Sequence, residues 1–134
     1  MGLDCSHNAF HGAYSSFNRF RQFVSKSIGG SYPPHEDKSL NEAYWYLPDG
    51  MTSETHKGLY EFLGHSDCDG EISPEMCKIV ADELEAIIPQ MKELEKTTEA
   101  VGHTLRDGGY VAVAKSFIKG CRIAHQANEP LRFM

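Results

Sequence analysis

The strongest constraint on the fold is a stripe of apolar residues near the start of the chain. Each member lies three or four positions from another member: Phe10, Ala13, Tyr14, Phe17, Phe20, Val24 and Ile28. This spacing places apolar side chains on one face of an amphipathic helix. Asp4 or Ser6 can cap the start of that helix, and Gly29-Gly30 can end it. The pattern predicts a helix over residues 7–28.

A second helix start is indicated by Ser73-Pro74. Serine is a preferred N-cap residue, and proline fits the first helical position. Ile72 and Cys77 occupy the two positions at which a hydrophobic staple forms. The sequence predicts a helix that starts at Pro74 and stops at Pro89.

Weaker signals complete the predicted fold. A short helical continuation is expected over residues 90–99, and a last helix over 110–126. The helices over 7–28 and 110–126 are expected to sandwich the one that starts at residue 74. Pro130 should end regular helix and leave a short extended segment. The expected fold is mainly α, a compact single domain over 1–134, with a long irregular segment (about 30–52) and one or two short strands.

Composition narrows the class of protein. The chain has 134 residues and a net charge of −6, and no run approaches the ~18 apolar residues of a membrane span. Its four cysteines show no C-x-x-C spacing. The first residues have neither the basic segment nor the apolar region of a signal peptide, so none is expected, and reduced thiols in the cytoplasm are expected. Between Asp67 and Glu95 there are nine acidic residues and two lysines. Duplex nucleic acid binds to a basic surface, so it is not an expected partner. A membrane is not an expected partner either, because no apolar run is long enough to span one.

The segment from His65 to Glu75 concentrates side chains that bind metals or transfer protons. Aligning Gly70 with position six of a calcium-binding EF-hand loop puts His65 at position one and Met76 at position twelve. Calcium requires carboxylates at both ends of that loop, so calcium binding is not expected. Aspartates in this segment can instead stabilise the turn and cap the following helix, a purely structural role.

A two-segment metal site is one functional interpretation. His7 and His11 are four residues apart, so on a helix they would share one face. Together with His65, Asp67 and Asp69 they supply nitrogen and oxygen ligands suited to zinc or manganese. Such an ion can activate water for hydrolysis of a phosphoester. Alternatively, both histidines of the first segment form only hydrogen bonds.

A metal-free ligand site is the other functional interpretation. Aromatic residues such as Tyr14 and Trp45 either pack on the core or form the wall of a pocket for a planar ligand. Arg19 can then meet a phosphate or ribose. The candidate ligand-binding residues belong to the predicted first helix, the aromatic segment or the 65–70 loop. They are His7, His11, Tyr14, Arg19, Trp45, His65, Asp67 and Asp69.

Four stretches resemble a family of small uncharacterised proteins of bacteria and their phages, over roughly half of the chain. The stretches are Gly2-Leu3-Asp4-x-Ser6-His7, His11-Gly12-Ala13-Tyr14-Ser15-x-Phe17-x-Arg19-x-Arg21, His65-Ser66-Asp67-Cys68-Asp69-Gly70-Glu71-Ile72 and Phe117-Ile118-x-Gly120-x-Arg122. The resemblance implies that the first-helix histidines and the loop are signature features together. It assigns them no ligand or activity.

Three hypotheses of function follow. The first is a soluble phage-type binding protein that sequesters a small polar or nucleotide-like molecule at a site built from the first helix and the 65–70 loop. It would act in the cytoplasm, that of the host if a phage encodes it, and as a homo-oligomer if the site lies between protomers. The second is a divalent-metal-dependent hydrolase that uses His7, His11, His65, Asp67 and Asp69. The third is a structural or interaction protein without a small-molecule site.

Overall fold

The computed structural model describes residues 2–30, 47–48, 50–65, 70–98 and 108–134. This part of the chain is mainly helical, as predicted. Its α-helices are α1 (Tyr14–Ser27), α2 (Lys57–Gly64), α3 (Pro74–Ala86), α4 (Ile88–Glu95) and α5 (Tyr110–Gln126). Its strands are β1 (Gly2–Cys5), β2 (Phe10–Ala13), β3 (Glu71–Ile72) and β4 (Leu131–Arg132). No helix within these ranges is long and apolar enough to cross a membrane.

The N-terminal residues form a β-hairpin, so the predicted helix over residues 7–28 is wrong before Tyr14. β1 and β2 are antiparallel, with Asp4 opposite His11. A short 3-10 turn joins them, and His7 and Asn8 have φ angles of 60° and 58°. These left-handed conformations reverse the chain and are incompatible with a continuing right-handed helix.

Helix α1 ends as the sequence predicts. The Gly30 N–H donates to the Ser25 carbonyl at 2.9 Å, and the Gly29 N–H donates to the Lys26 carbonyl at 3.1 Å. Gly29 has a φ of 87°. These two bonds form a Schellman motif, in which glycine takes the left-handed position without steric cost.

The start of α3 is also confirmed. Ser73 Oγ accepts a hydrogen bond from the Met76 N–H at 3.2 Å, and Pro74 occupies the first turn. Ile72 and Cys77 are both fully buried, at the positions of a hydrophobic staple. The helix ends at Ala86, and α4 follows almost directly.

The helices pack differently from the predicted sandwich. Helix α3 packs chiefly against α5 and α2, whereas α1 packs chiefly against α4 and α5. Gly58 of α2 lies so close to α3 that a Cβ there would be 2.7 Å from the Ile79 carbonyl oxygen. The first helix therefore does not face α3 directly, because α2 occupies part of that surface.

A cluster of phenylalanines fills the centre of the core. Phe17, Phe20, Phe62 and Phe117 are fully buried, and their ring centroids lie 5.0–6.3 Å apart. Edge-to-face and tilted geometries of this kind are favourable for aromatic pairs. The cluster joins α1, α2 and α5, which fixes their relative positions.

The C-terminal residues return to the first strand. Asn128 has a φ of 56° and ends α5, and the Glu129 N–H donates to the Ala124 carbonyl at 2.9 Å. Leu131 and Arg132 then pair with β3, and Phe133 forms a bridge with Cys5 of β1. The predicted extended segment after Pro130 is therefore confirmed.

Candidate functional site

The two N-terminal histidines have separate partners. His7 Nε2 lies 2.9 Å from Glu129 Oε1, and His7 Nδ1 lies 3.0 Å from Ser6 Oγ. His11 Nδ1 lies 2.7 Å from Asp4 Oδ1 on the neighbouring strand. The predicted shared helix face is wrong, because one histidine sits in the turn and the other in β2. Both histidines already hold a carboxylate partner.

His65 packs between the end of α2 and the C-terminal segment. Its ring stacks on Phe133 with centroids 4.1 Å apart, and its Nε2 lies 3.2 Å from the Glu71 carbonyl oxygen. Buried Arg21 donates from Nη1 to the Leu63 carbonyl at 3.2 Å and to the His65 carbonyl. Arg21 therefore ties α1 to the start of the predicted loop, whereas the predicted loop ligands Asp67 and Asp69 lie outside the described residues.

The described ranges contain no group of three or more His, Cys, Asp or Glu residues that could hold a metal ion. His7, His11 and His65 each have a different hydrogen-bond partner, namely Glu129, Asp4 and the Glu71 carbonyl oxygen. The predicted convergence of these three histidines is thus not formed by the residues that the structure describes.

Arg19 instead lines a pocket between α1, α4 and the start of α5. The pocket has a volume of about 210 Å³. Its lining residues are Arg19, Gln22, Phe23, Lys26, Leu94, Thr98 and Tyr110. We call this the α1–α4 pocket. Arg19 and Arg21 are two positions apart on α1, and residues two apart do not face each other on a helix. Arg19 therefore lines the pocket, whereas Arg21 donates hydrogen bonds to the carbonyls of Leu63 and His65.

The polar side of the α1–α4 pocket is cationic. Neither Arg19 nor Lys26 forms an ion pair with a described residue. The nearby Glu95 carboxylate accepts hydrogen bonds from the backbone N–H groups of Tyr110 and Val111. Because this carboxylate already occupies the N-terminus of α5, the side chains of Arg19 and Lys26 supply the positive charge available to a ligand.

The apolar side is a pair of stacked rings. Phe23 and Tyr110 have centroids 4.4 Å apart and an interplanar angle of 10°. Burial raises the pKa of the Tyr110 phenol, and Glu95 adds to this effect while Arg19 opposes it. The phenol therefore stays protonated at neutral pH and keeps a hydrogen-bond donor.

The other predicted ligand residues are placed as follows. Tyr14 is partly buried and packs against the hydrophobic core, the first of the two roles considered for the aromatic residues. Trp45 lies outside the described residues. Arg19 therefore remains a candidate ligand-binding residue, because it lines the α1–α4 pocket.

Sequence reasoning missed most of the pocket lining. Gln22 and Lys26 share a face with Arg19 at helical spacing, a signal that was available in the sequence. Thr98 and Tyr110 come from elements far along the chain, and the sequence carries no signal that they meet α1.

The buried cysteines are not candidate nucleophiles. Burial, reinforced by the charge of Asp4, raises the pKa of Cys5 to about 12. Hydrogen bonding with Cys77 and burial raise the pKa of the Cys121 thiol, while the same hydrogen bond lowers that of Cys77. All three are buried away from solvent, whereas a reactive cysteine needs an accessible thiolate.

Comparisons with protein families, with curated proteins and with solved structures each find no match for the chain. The interpretation of function rests on the geometry of the site.

Proposed function

We propose that this chain is a binding protein for a small planar anion of the nucleotide type, and that the α1–α4 pocket is its site. The observation that carries the proposal is that Arg19 and Lys26 line the same pocket as the stacked Phe23–Tyr110 pair. An arginine offers two parallel donors to a phosphate. Aromatic rings offer an apolar surface to a base.

Charge supports an anionic ligand. The chain carries a net charge of −6, yet two cations without described ion-pair partners line this small pocket. An anion bound in the pocket is attracted by both positive charges. Gln22 and Thr98 add uncharged groups that can accept or donate hydrogen bonds.

Size limits how much of a ligand the pocket encloses. Pockets for drug-sized ligands measure about 300–1,000 Å³, and this one is about 210 Å³. It therefore holds one end of a nucleotide, and the remainder extends over the surface. We further propose that the protein sequesters its ligand in the cytoplasm, of the host cell if a phage encodes it, and that a second copy of the chain covers the exposed part.

Isothermal titration calorimetry tests the proposal with AMP, adenosine and inorganic phosphate. We expect AMP to bind at least tenfold more tightly than adenosine, because a charge-assisted hydrogen bond contributes roughly 1.5–3 kcal/mol. Arg19→Gln should weaken AMP binding by roughly 10–100-fold and leave adenosine binding nearly unchanged.

Lys92→Gln is the matched control, because Lys92 is exposed on α4 and does not line the pocket. It should leave AMP binding within about twofold. Absence of detectable AMP binding at millimolar concentration, in protein of known metal content, would overturn the proposal. An equal loss in the Arg19 and Lys92 variants would show that net charge, not the pocket, attracts the anion.

The hydrolase hypothesis has no supporting observation among the described residues, since the metal ligands it requires do not converge there. Elemental analysis of untagged protein, followed by phosphoester assays with added zinc or manganese, tests it independently of AMP binding.

A further inference from the structure

A second cavity lies along α5 and shares Ile118 with the edge of the hydrophobic core. It is a groove of about 690 Å³ between the end of α3, the start of α4 and the exposed face of α5. We call it the α4–α5 groove. Its volume lies within the range of about 300–1,000 Å³ that small-molecule sites occupy. It shares no lining residue with the α1–α4 pocket.

Part of the lining of the groove is apolar. Ile88 and Pro89 of α4 and Ile118 and Ile123 of α5 contribute the apolar side chains. Ile123 is 41% exposed, which is unusual for a residue of this size in this structure. An exposed isoleucine beside a concave apolar surface is stabilised when an apolar ligand covers it.

One end of the groove is cationic. Lys115 and Lys119 are four residues apart on α5, so their charges lie on one face and repel each other. Neither lysine forms an ion pair with a described residue. Arg122 differs from them, because it pairs with Asp82 at 3.0 Å and with Glu85 at 3.2 Å.

Charged and apolar residues alternate along this face of α5, since Ile118 lies between the two lysines and Arg122 lies beside Ile123. The charge without a described partner is confined to one end, because Arg122 is paired with Asp82 and Glu85. The lysines mark one end, and Ile123 lies one to two turns further along α5. At a rise of 1.5 Å per residue, the distance from Lys115 to Gln126 along the helix axis is about 16 Å. A ligand that fits this surface has an anionic head and an unbranched apolar tail.

We propose that the α4–α5 groove binds a medium-chain fatty carboxylate. The carboxylate lies between Lys115 and Lys119, and the alkyl chain lies along Ile118 and Ile123 against Ile88 and Pro89. Charge complementarity selects the head group, because the groove offers two cations without described partners in an acidic protein. The proposal concerns a different site and a different ligand from the α1–α4 pocket.

NMR titration of the full chain with octanoate, decanoate and octan-1-ol tests this proposal. Octanoate should perturb the amide resonances of residues around Ile118 and Ile123 saturably, and should bind about tenfold more tightly than octan-1-ol. Decanoate should bind more tightly than octanoate, by up to about fourfold for each added methylene that is buried. AMP should not compete with either carboxylate.

Three variants separate the contributions. Lys115→Gln with Lys119→Gln should reduce octanoate affinity to that of octan-1-ol. Ile123→Gln should weaken both ligands, and it is exposed enough to leave the fold intact. Lys92→Gln lies outside the groove and should leave both affinities within about twofold.

Three results would overturn the proposal. One is the absence of saturable perturbation in the groove. Another is equal binding of octanoate by the wild type and the double lysine variant. The third is perturbation spread over the whole surface, which indicates nonspecific surfactant binding. None of these results bears on AMP binding.

Discussion

Gly120 shows how a single residue sets the approach of two elements. A Cβ at this position would lie 2.5 Å from the Ala9 Cβ and 2.7 Å from the Ala9 Cα. Helix α5 therefore contacts the turn of the N-terminal hairpin through a position where only glycine fits. The same residue belongs to the Phe117-Ile118-x-Gly120-x-Arg122 stretch, so one glycine of that stretch has a packing role.

Gly120→Ala should destabilise the protein by about 1–2 kcal/mol. Overpacking costs about 1–3 kcal/mol, and the gain in helix propensity of about 1 kcal/mol offsets only part of it. Urea unfolding followed by circular dichroism measures the difference. Ser116→Ala, at an exposed position of the same helix, should change the free energy of unfolding by less than about 0.5 kcal/mol. Equal stability of the wild type and the Gly120 variant would contradict the close contact.

At the scale of elements, two helices are capped by side chains from other helices. Glu83 of α3 accepts a hydrogen bond from the Leu59 N–H at the start of α2, at 2.9 Å. Glu95 of α4 accepts from the Tyr110 and Val111 N–H groups at the start of α5. A carboxylate at a helix N-terminus also interacts favourably with the helix dipole. Acidic residues whose sequence pattern is typical of a solvated helix face thus form hydrogen bonds between helices.

Glu95→Ala should cost about 1–2 kcal/mol of stability, since it removes the cap of α5 and leaves two N–H groups without that partner. Glu93→Ala is the matched control on the same helix, because Glu93 is exposed and forms an ion pair with exposed Lys96. It should cost less than about 0.5 kcal/mol. Hydrogen exchange of the first turn of α5 locates the effect, and equal exchange in the two variants would be inconsistent with capping.

The N-terminal elements show where sequence reasoning succeeds and where it does not. Ser73 and Gly29 are recognisable because each acts on backbone groups within a few residues of itself. Phe10 belongs to the predicted helical stripe, but a buried apolar residue at this position is equally compatible with a strand over residues 10–13. The left-handed turn at His7 and Asn8 decides between them, and neither residue type requires that conformation. The placement of Arg19 in a pocket with Thr98 and Tyr110 depends on tertiary packing, which spacing along the chain does not encode.

At the scale of the whole molecule, the last residues close the structure. Phe133 is 3% exposed, and its ring lies 5.8 Å from Phe17 and 4.1 Å from His65. Its N–H donates to the Gly70 carbonyl at 2.9 Å, and it bridges to Cys5. One residue near the C-terminus therefore contacts the first strand, the first helix and the end of the His65 segment.

Phe133→Ala should destabilise the protein by about 3–5 kcal/mol, the cost of removing a buried aromatic side chain. Met134→Ala is the control, because the Met134 side chain is 61% exposed, and it should cost less than about 0.5 kcal/mol. Thermal unfolding of both variants checks the comparison. A similar small loss in both would mean that the C-terminal segment is peripheral to the core.

The bridge between Cys5 and Phe133 has a consequence for the order of folding. It joins two residues that are far apart in the chain, and closing a long loop costs more entropy than closing a short one. Contacts of large sequence separation also slow folding. Leu3 and Cys5 are buried in the folded protein, so we expect the native packing of the N-terminal hairpin to be completed late, when the segment around Phe133 returns to β1.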